Sequence, residues 1–128
     1  MNILSATTYD GSTTTVEGEK FKGDGYYGSN DGLHTVSWHL DGFQGTIKIQ
    51  GTLVQSPESS DWFDIELENL NFSIDTTGNV SREKITSVNY SDITTGNAMY
   101  NFTGNFMWIR VAVVNFAAGT VSKVLYNN

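Results

Sequence analysis

The chain contains no cysteine, which excludes disulfides, thiolate nucleophiles and Cys-based zinc sites. Proline occurs once, at Pro57. Charged residues are only 16% of the chain, below the ~25% of ordinary soluble domains. Seven basic residues are scattered among 14 acidic ones, for a net charge of -7. Phosphate backbones and anionic bilayers need clustered Lys and Arg, so neither nucleic acid nor a membrane is expected as a partner. Apolar runs such as Val111–Val114 fall far short of the ~20 residues of a membrane span. Residues 1–10 have no basic stretch followed by an apolar one, so no targeting signal is expected there. Strong helix formers are scarce, and no segment has a convincing helical period.

What the chain does have is small and polar or β-branched. Ser, Thr and Asn fill 39 of the 128 residues, and Gly adds 13. Strands favour β-branched and aromatic residues, and turns favour Gly and Asn. The expected fold class is all-β: an antiparallel, jelly-roll-like β-sandwich of about 8–10 strands in a single domain, 1–128. Alternation places His34, Val36, Trp38 and Leu40 on one face, and Asp41-Gly42 then reads as a turn. Ile47, Ile49, Gly51 and Leu53 form the next apolar face, with Gly51 marking a bulge or a close approach. Phe63, Ile65 and Leu67 oppose Asp64, Glu66 and Glu68. Apolar parity then shifts to Leu70, Phe72 and Ile74, as a bulge or corner near Glu68-Asn69 requires. TTGN occurs twice, at Thr76–Asn79 and Thr94–Asn97, and both copies read as turns. Trp108–Val114 is largely apolar on both faces and reads as a central strand buried on both sides, and Phe116–Thr120 turns the chain into the last strand.

Few residues point to chemistry. His34 and His39 stand five apart, which puts them on opposite faces of one strand and unable to share a metal. Asp64, Glu66 and Glu68 repeat on one strand face; carboxylate oxygens suit Ca²⁺, but a solvated face accounts for them more simply. No G-x-S-x-G, H-E-x-x-H or phosphate-loop pattern occurs. No catalytic residue, cofactor or metal site is assigned, and no enzyme activity is expected. Trp38 and Trp108 fall in alternating strands and read as core. Tyr26 and Tyr27, in the glycine-rich loop Gly23–Gly32, read as an exposed contact pair, and Trp62 joins them as a candidate binding residue.

Three segments carry a family resemblance: FKGDGYYGSNDGLHTVSWHLDGF (Phe21–Phe43), GTIKIQGTLVQSPESSDWFDI (Gly45–Ile65) and YNFTGNFMWIRVAVVNFAAGTVSKVLY (Tyr100–Tyr126). The order DGYYG…DGLHTV, then I-x-QGTL…P…DWF, then GNF-x-W-I-R with a late G-T-V-x-K-V hairpin, resembles small virion structural proteins and modules of tailed phages, marine and cyanobacterial ones above all. The resemblance implies a non-enzymatic virion component assembled in the host cytoplasm. It would be a decoration or cement protein on the capsid, or a part of the neck or tail. The implied partners are other virion proteins and further copies of the chain in a symmetric oligomer, with a trimer favoured. The alternative is a β-sandwich module of a phage fibre that binds carbohydrate or a receptor, with a glycan as ligand.

Overall fold

The computed structural model describes residues 1–23, 32–69, 73–74, 80–81 and 84–127. Among them the regular structure is antiparallel β-sheet, with a single 3-10 turn at Ser59–Asp61. Three strands dominate: β5 (Leu33–Thr52), β11 (Val88–Thr103) and β12 (Trp108–Asn127). β5 lies in the middle, with β12 along one edge and β11 along most of the other. Four short strands follow one another along the outer edge of β12: β1 (Asn2–Leu4), β2 (Thr7–Thr8), β3 (Val16–Glu17) and β4 (Phe21–Lys22). On the far side β6 (Phe63–Asp64) extends β5 beyond the end of β11. β7 (Leu67–Asn69) pairs with β11 and with β10 (Lys84–Ile85). β8 (Ser73–Ile74) and β9 (Val80–Ser81) form a separate two-stranded ribbon. The all-β class is as expected. Twelve described strands replace the expected 8–10, and ten of them share one hydrogen-bonded sheet.

The long strands alternate as residues of a half-buried sheet must, but the buried parity changes midway. In β5 the buried series His34, Val36, Trp38, Leu40 gives way to Phe43, Ile47, Ile49. In β12 the series Ile109, Val111, Val113 passes through Phe116 to Val121, Val124 and Tyr126. Each change coincides with register shifts between neighbouring strands, the signature of bulges. The extra residues bend all three strands at the same level. Trp38 shows how far the sheet bends: its indole Nε1 donates to the hydroxyl of Tyr90 at 2.9 Å, yet Tyr90 is registered opposite Gly45. Seven extended residues span about 23 Å, too far for the two side chains to meet on a flat sheet. The sheet therefore folds over its own inner face, and the same strands run through both halves around one core.

Three segments that read as turns are in fact this fold line. Asp41-Gly42 lies inside β5, Thr94–Asn97 inside β11, and Phe116–Thr120 inside β12. They stack across the sheet: Thr94 is registered with Phe43, and Ala118 and Thr120 with Gln44 and Asp41. The Gly42 N–H donates to Thr95 Oγ1 at 2.9 Å. Gly42 (φ 61°) and Gly119 (φ 77°) take left-handed backbone that suits glycine, and a Cβ on Gly119 would collide with the Gly42 carbonyl. Turn residues here supply the bend of a continuous strand. The other TTGN copy and the parity shift through Leu70, Phe72 and Ile74 lie outside the described residues or their described side chains.

Gly51 is a close approach, as its position predicts: a Cβ there would meet the rings of Phe106 and the Ile65 side chain at 2.7–2.9 Å. Two apolar residues depart from the expected alternation. Leu53, 68% exposed, follows the end of β5, and Phe63, 46% exposed, sits on the short edge strand β6. Among the described residues neither has a strand beyond it to complete the inner face.

Candidate functional site

The inner face holds a buried imidazole. His34 is fully buried and stacks on Phe102, with centroids 4.7 Å apart and planes 8° from parallel. Its Nε2 lies 2.7 Å from the Gly104 carbonyl, and its Nδ1 lies 2.7 Å from the Tyr126 hydroxyl. A carbonyl only accepts, so Nε2 carries the proton and Nδ1 accepts from Tyr126. These bonds tie β5 to β12 and to the chain between β11 and β12. His39 falls on the outer face, as the odd spacing predicts, so the two imidazoles do not converge.

The outer face around β3, β12, β5 and β6 carries a polar network. Arg110 forms an ion pair with Glu17, donates from Nε to Gln50 Oε1 at 2.8 Å, and stacks over Trp62 at 4.3 Å. Gln50 donates onward to Asp64 at 2.9 Å, and Lys48 pairs with the same carboxylate at 3.3 Å. Register alone places these residues in line, with Arg110 opposite Gln50 and Gln50 opposite Asp64. Trp62 is half-buried against this network. Trp108, expected in the core, is instead a half-exposed member of this outer face. Its indole donates to the Gln55 carbonyl at 2.8 Å, and the Lys20 ammonium sits 4.5 Å from its ring centre. The parity of β12 sets this orientation: Ile109, Val111 and Val113 point inward, so Trp108 and Arg110 point out. The basic residue two positions along was the signal for an outward face.

The acidic strand is divided. Asp64 belongs to β6, whereas Glu68 belongs to β7, where its register partners are Asn101 and Lys84. No group of three His, Asp or Glu side chains able to hold a metal ion occurs among the described residues. Tyr26 and Tyr27, read with Trp62 as candidate binding residues, lie outside the described residues.

Tyr90 and Asp10 are displaced from their ordinary values. Burial pushes the Tyr90 phenol up, against the opposing hydrogen bond from Trp38. On the surface, the Thr13 hydroxyl and then the N–H groups of Thr13 and Ser12 hold the Asp10 carboxyl well below the usual carboxylate range.

The other half of the outer face is different in kind. Across β11, β5 and β12 it presents Met99, Ser37 and Leu125 in one row, flanked by Asn101 and Thr35 and by Asn97 and His39. Met99 is 50% exposed and Met1 62%. With Thr35, Ser37 and Leu125 they line a shallow depression of about 180 Å³. Sequence reasoning did not single out this patch, because its apolar members come from three distant segments.

Neither a protein-family model nor a curated protein sequence matches the chain. Among solved structures, the fold is similar to that of the SPBc2 prophage-derived protein YomS, with a TM-score of 0.56 and 15% sequence identity. The alignment covers 99% of this chain and 90% of that one. At that identity the likeness establishes a shared fold. Among the described residues no helix is long and apolar enough to cross a membrane.

Proposed function

We propose that this chain is a non-enzymatic structural component of a tailed-phage particle. It acts through protein–protein contacts, as an accessory protein of the capsid or at the neck or tail, in a symmetric oligomer assembled in the host cytoplasm. The observation that carries the reading is the likeness to a prophage-derived protein over nearly the whole length of both chains. The three sequence segments that resemble virion structural modules point the same way. The chemistry of the faces supports it too. His34 is sealed in the core, and Glu17, Arg110, Gln50, Asp64 and Lys48 are joined to one another across the sheet. Such a network stiffens a surface and presents a fixed pattern of charge to a partner. Mass spectrometry of purified particles is expected to find the chain in many copies. Particles that lack it would overturn the reading.

The position of Trp62 and Trp108 on one outer face, beside the polar network, favours a second reading as a glycan-binding fibre module. Sugar rings stack on indoles, and hydroxyls pair with Gln, Asp and Arg. Glycan-array binding that disappears in Trp62→Ala would favour this reading, and silence with and without Ca²⁺ would remove it.

A further inference from the structure

We infer that the face built from Met99, Ser37 and Leu125 docks a second copy of this chain, the two copies meeting face to face about a two-fold axis. This rests on the proposal of a symmetric oligomer and names its contact surface.

Charge selects the occupant. The chain carries 14 acidic residues and a net charge of -7, so two copies repel wherever their carboxylates face each other. The central rows of this face hold Asn97, His39 and Lys123, then Met99, Ser37 and Leu125, then Asn101, Thr35 and Asn127, with no carboxylate among them. The acidic side chains Glu66 and Glu68 stand at the border, in a cleft shared with Lys84 and Leu33. A basic partner would be drawn to the acidic surface elsewhere, whereas an identical chain can approach only where charge is missing.

Composition points the same way. In an isologous contact each residue meets the same patch on its twin, so the patch must complement itself. Met and Leu do so by packing. Ser, Thr and Asn do so because each side chain both donates and accepts. The depression beside Met1, Thr35 and Leu125 gives an exposed Met99 of the twin a place to enter, and methionine adapts well to such irregular gaps. The four strands β1, β12, β5 and β11, short of the acidic border on β7, span about 14 Å at ~4.8 Å per strand. Residues 33–39 of β5 add about 20 Å along the strands. That footprint is smaller than a standard specific interface, so the pair is weak and should dissociate on dilution. A single self-complementary patch yields a two-fold pair; the three-fold arrangement expected from the resemblance would need two different patches.

Sedimentation velocity on the intact chain tests this. A two-chain species is expected to grow with protein concentration and with added salt, which screens the repulsion between acidic copies. Met99→Glu and Leu125→Glu are each expected to raise the dissociation constant about tenfold or more with unchanged circular dichroism. Because the chain has no cysteine, Ser37→Cys gives a direct readout: a disulfide-linked pair should form on mild oxidation, whereas Ser60→Cys, in the exposed 3-10 turn, should stay single. A monomer at every concentration overturns the inference, as does association untouched by both glutamates or association that weakens as salt is added. Particle composition separates the two proposals. Particles that contain a chain monomeric in solution sink the docking face alone. Particles without the chain, alongside self-association through this face, sink the virion role alone.

Discussion

At the scale of single residues, the buried polar side chains are sharply positioned and their loss should be measurable. Tyr126→Phe removes the hydroxyl that satisfies His34 Nδ1 inside the core. Leaving a buried acceptor without its donor costs about 1–3 kcal/mol, and urea unfolding should show a loss of that size. Tyr90 makes a pH prediction with a definite sign. Its phenol is raised by burial, so folding favours the protonated form. The stability it contributes is complete below the ordinary phenol range near ~10 and is lost as pH rises through the raised folded value. Phenolate absorbance above the ordinary phenol range should contain a late-ionising contribution that is lost in Tyr90→Phe. The same variant leaves the Trp38 indole N–H without its acceptor, so it should also unfold more easily at neutral pH. Gly51 and the opposed imidazoles were legible in the sequence because they depend on spacing within one strand. Trp108 was not, because both faces of its strand are rich in apolar side chains and only the register with β5 decides which face is inside.

At the scale of elements, the informative feature is the fold line. Asp41-Gly42, Thr94–Asn97 and Phe116–Thr120 have the composition of turns, and a turn reverses the chain when it stands alone. Here three such segments lie side by side in neighbouring strands, and the ladder continues through each of them. Local composition therefore located the irregular residues correctly and misread what they do. Gly119 should be the most sensitive of them. Left-handed backbone costs a residue with a Cβ about 1–2 kcal/mol, and at Gly119 the Cβ would also strike the Gly42 carbonyl. Gly11 also has positive φ, at 92°, but has open space around it. Gly119→Ala is expected to lower the denaturation midpoint substantially more than Gly11→Ala. Equal losses would mean that the strands do not pack closely at the bend.

At the scale of the whole molecule, stability is graded from the middle of the sheet to its edges. β5 is paired on both sides along most of its length, whereas β1 to β4 are fragments of two or three residues held on one edge of β12. Amide exchange should be slowest around Ile47, Ile49, Val111 and Val113, whose side chains are fully buried, and much faster in β1 to β4. Uniform protection would contradict a core organised on β5 and β12. The same graded sheet leaves two outer faces of opposite character, one laced with paired charges and indoles and one nearly free of charge. That division underlies both the proposed role in a larger assembly and the proposed docking of like copies.

The amino-acid sequence by itself determined the all-β class, the inward alternation of His34 to Leu40 and Ile47 to Gly51, and the absence of cysteine chemistry. These follow from side-chain shape and a period of two, which act within a single segment. Only the tertiary structure decided that the strands run on through their glycines, that Trp108 faces outward beside Arg110, and that Met99, Ser37 and Leu125 share a row. Those outcomes depend on register between segments far apart in the chain, and register is set by the packing of the folded sheet as a whole.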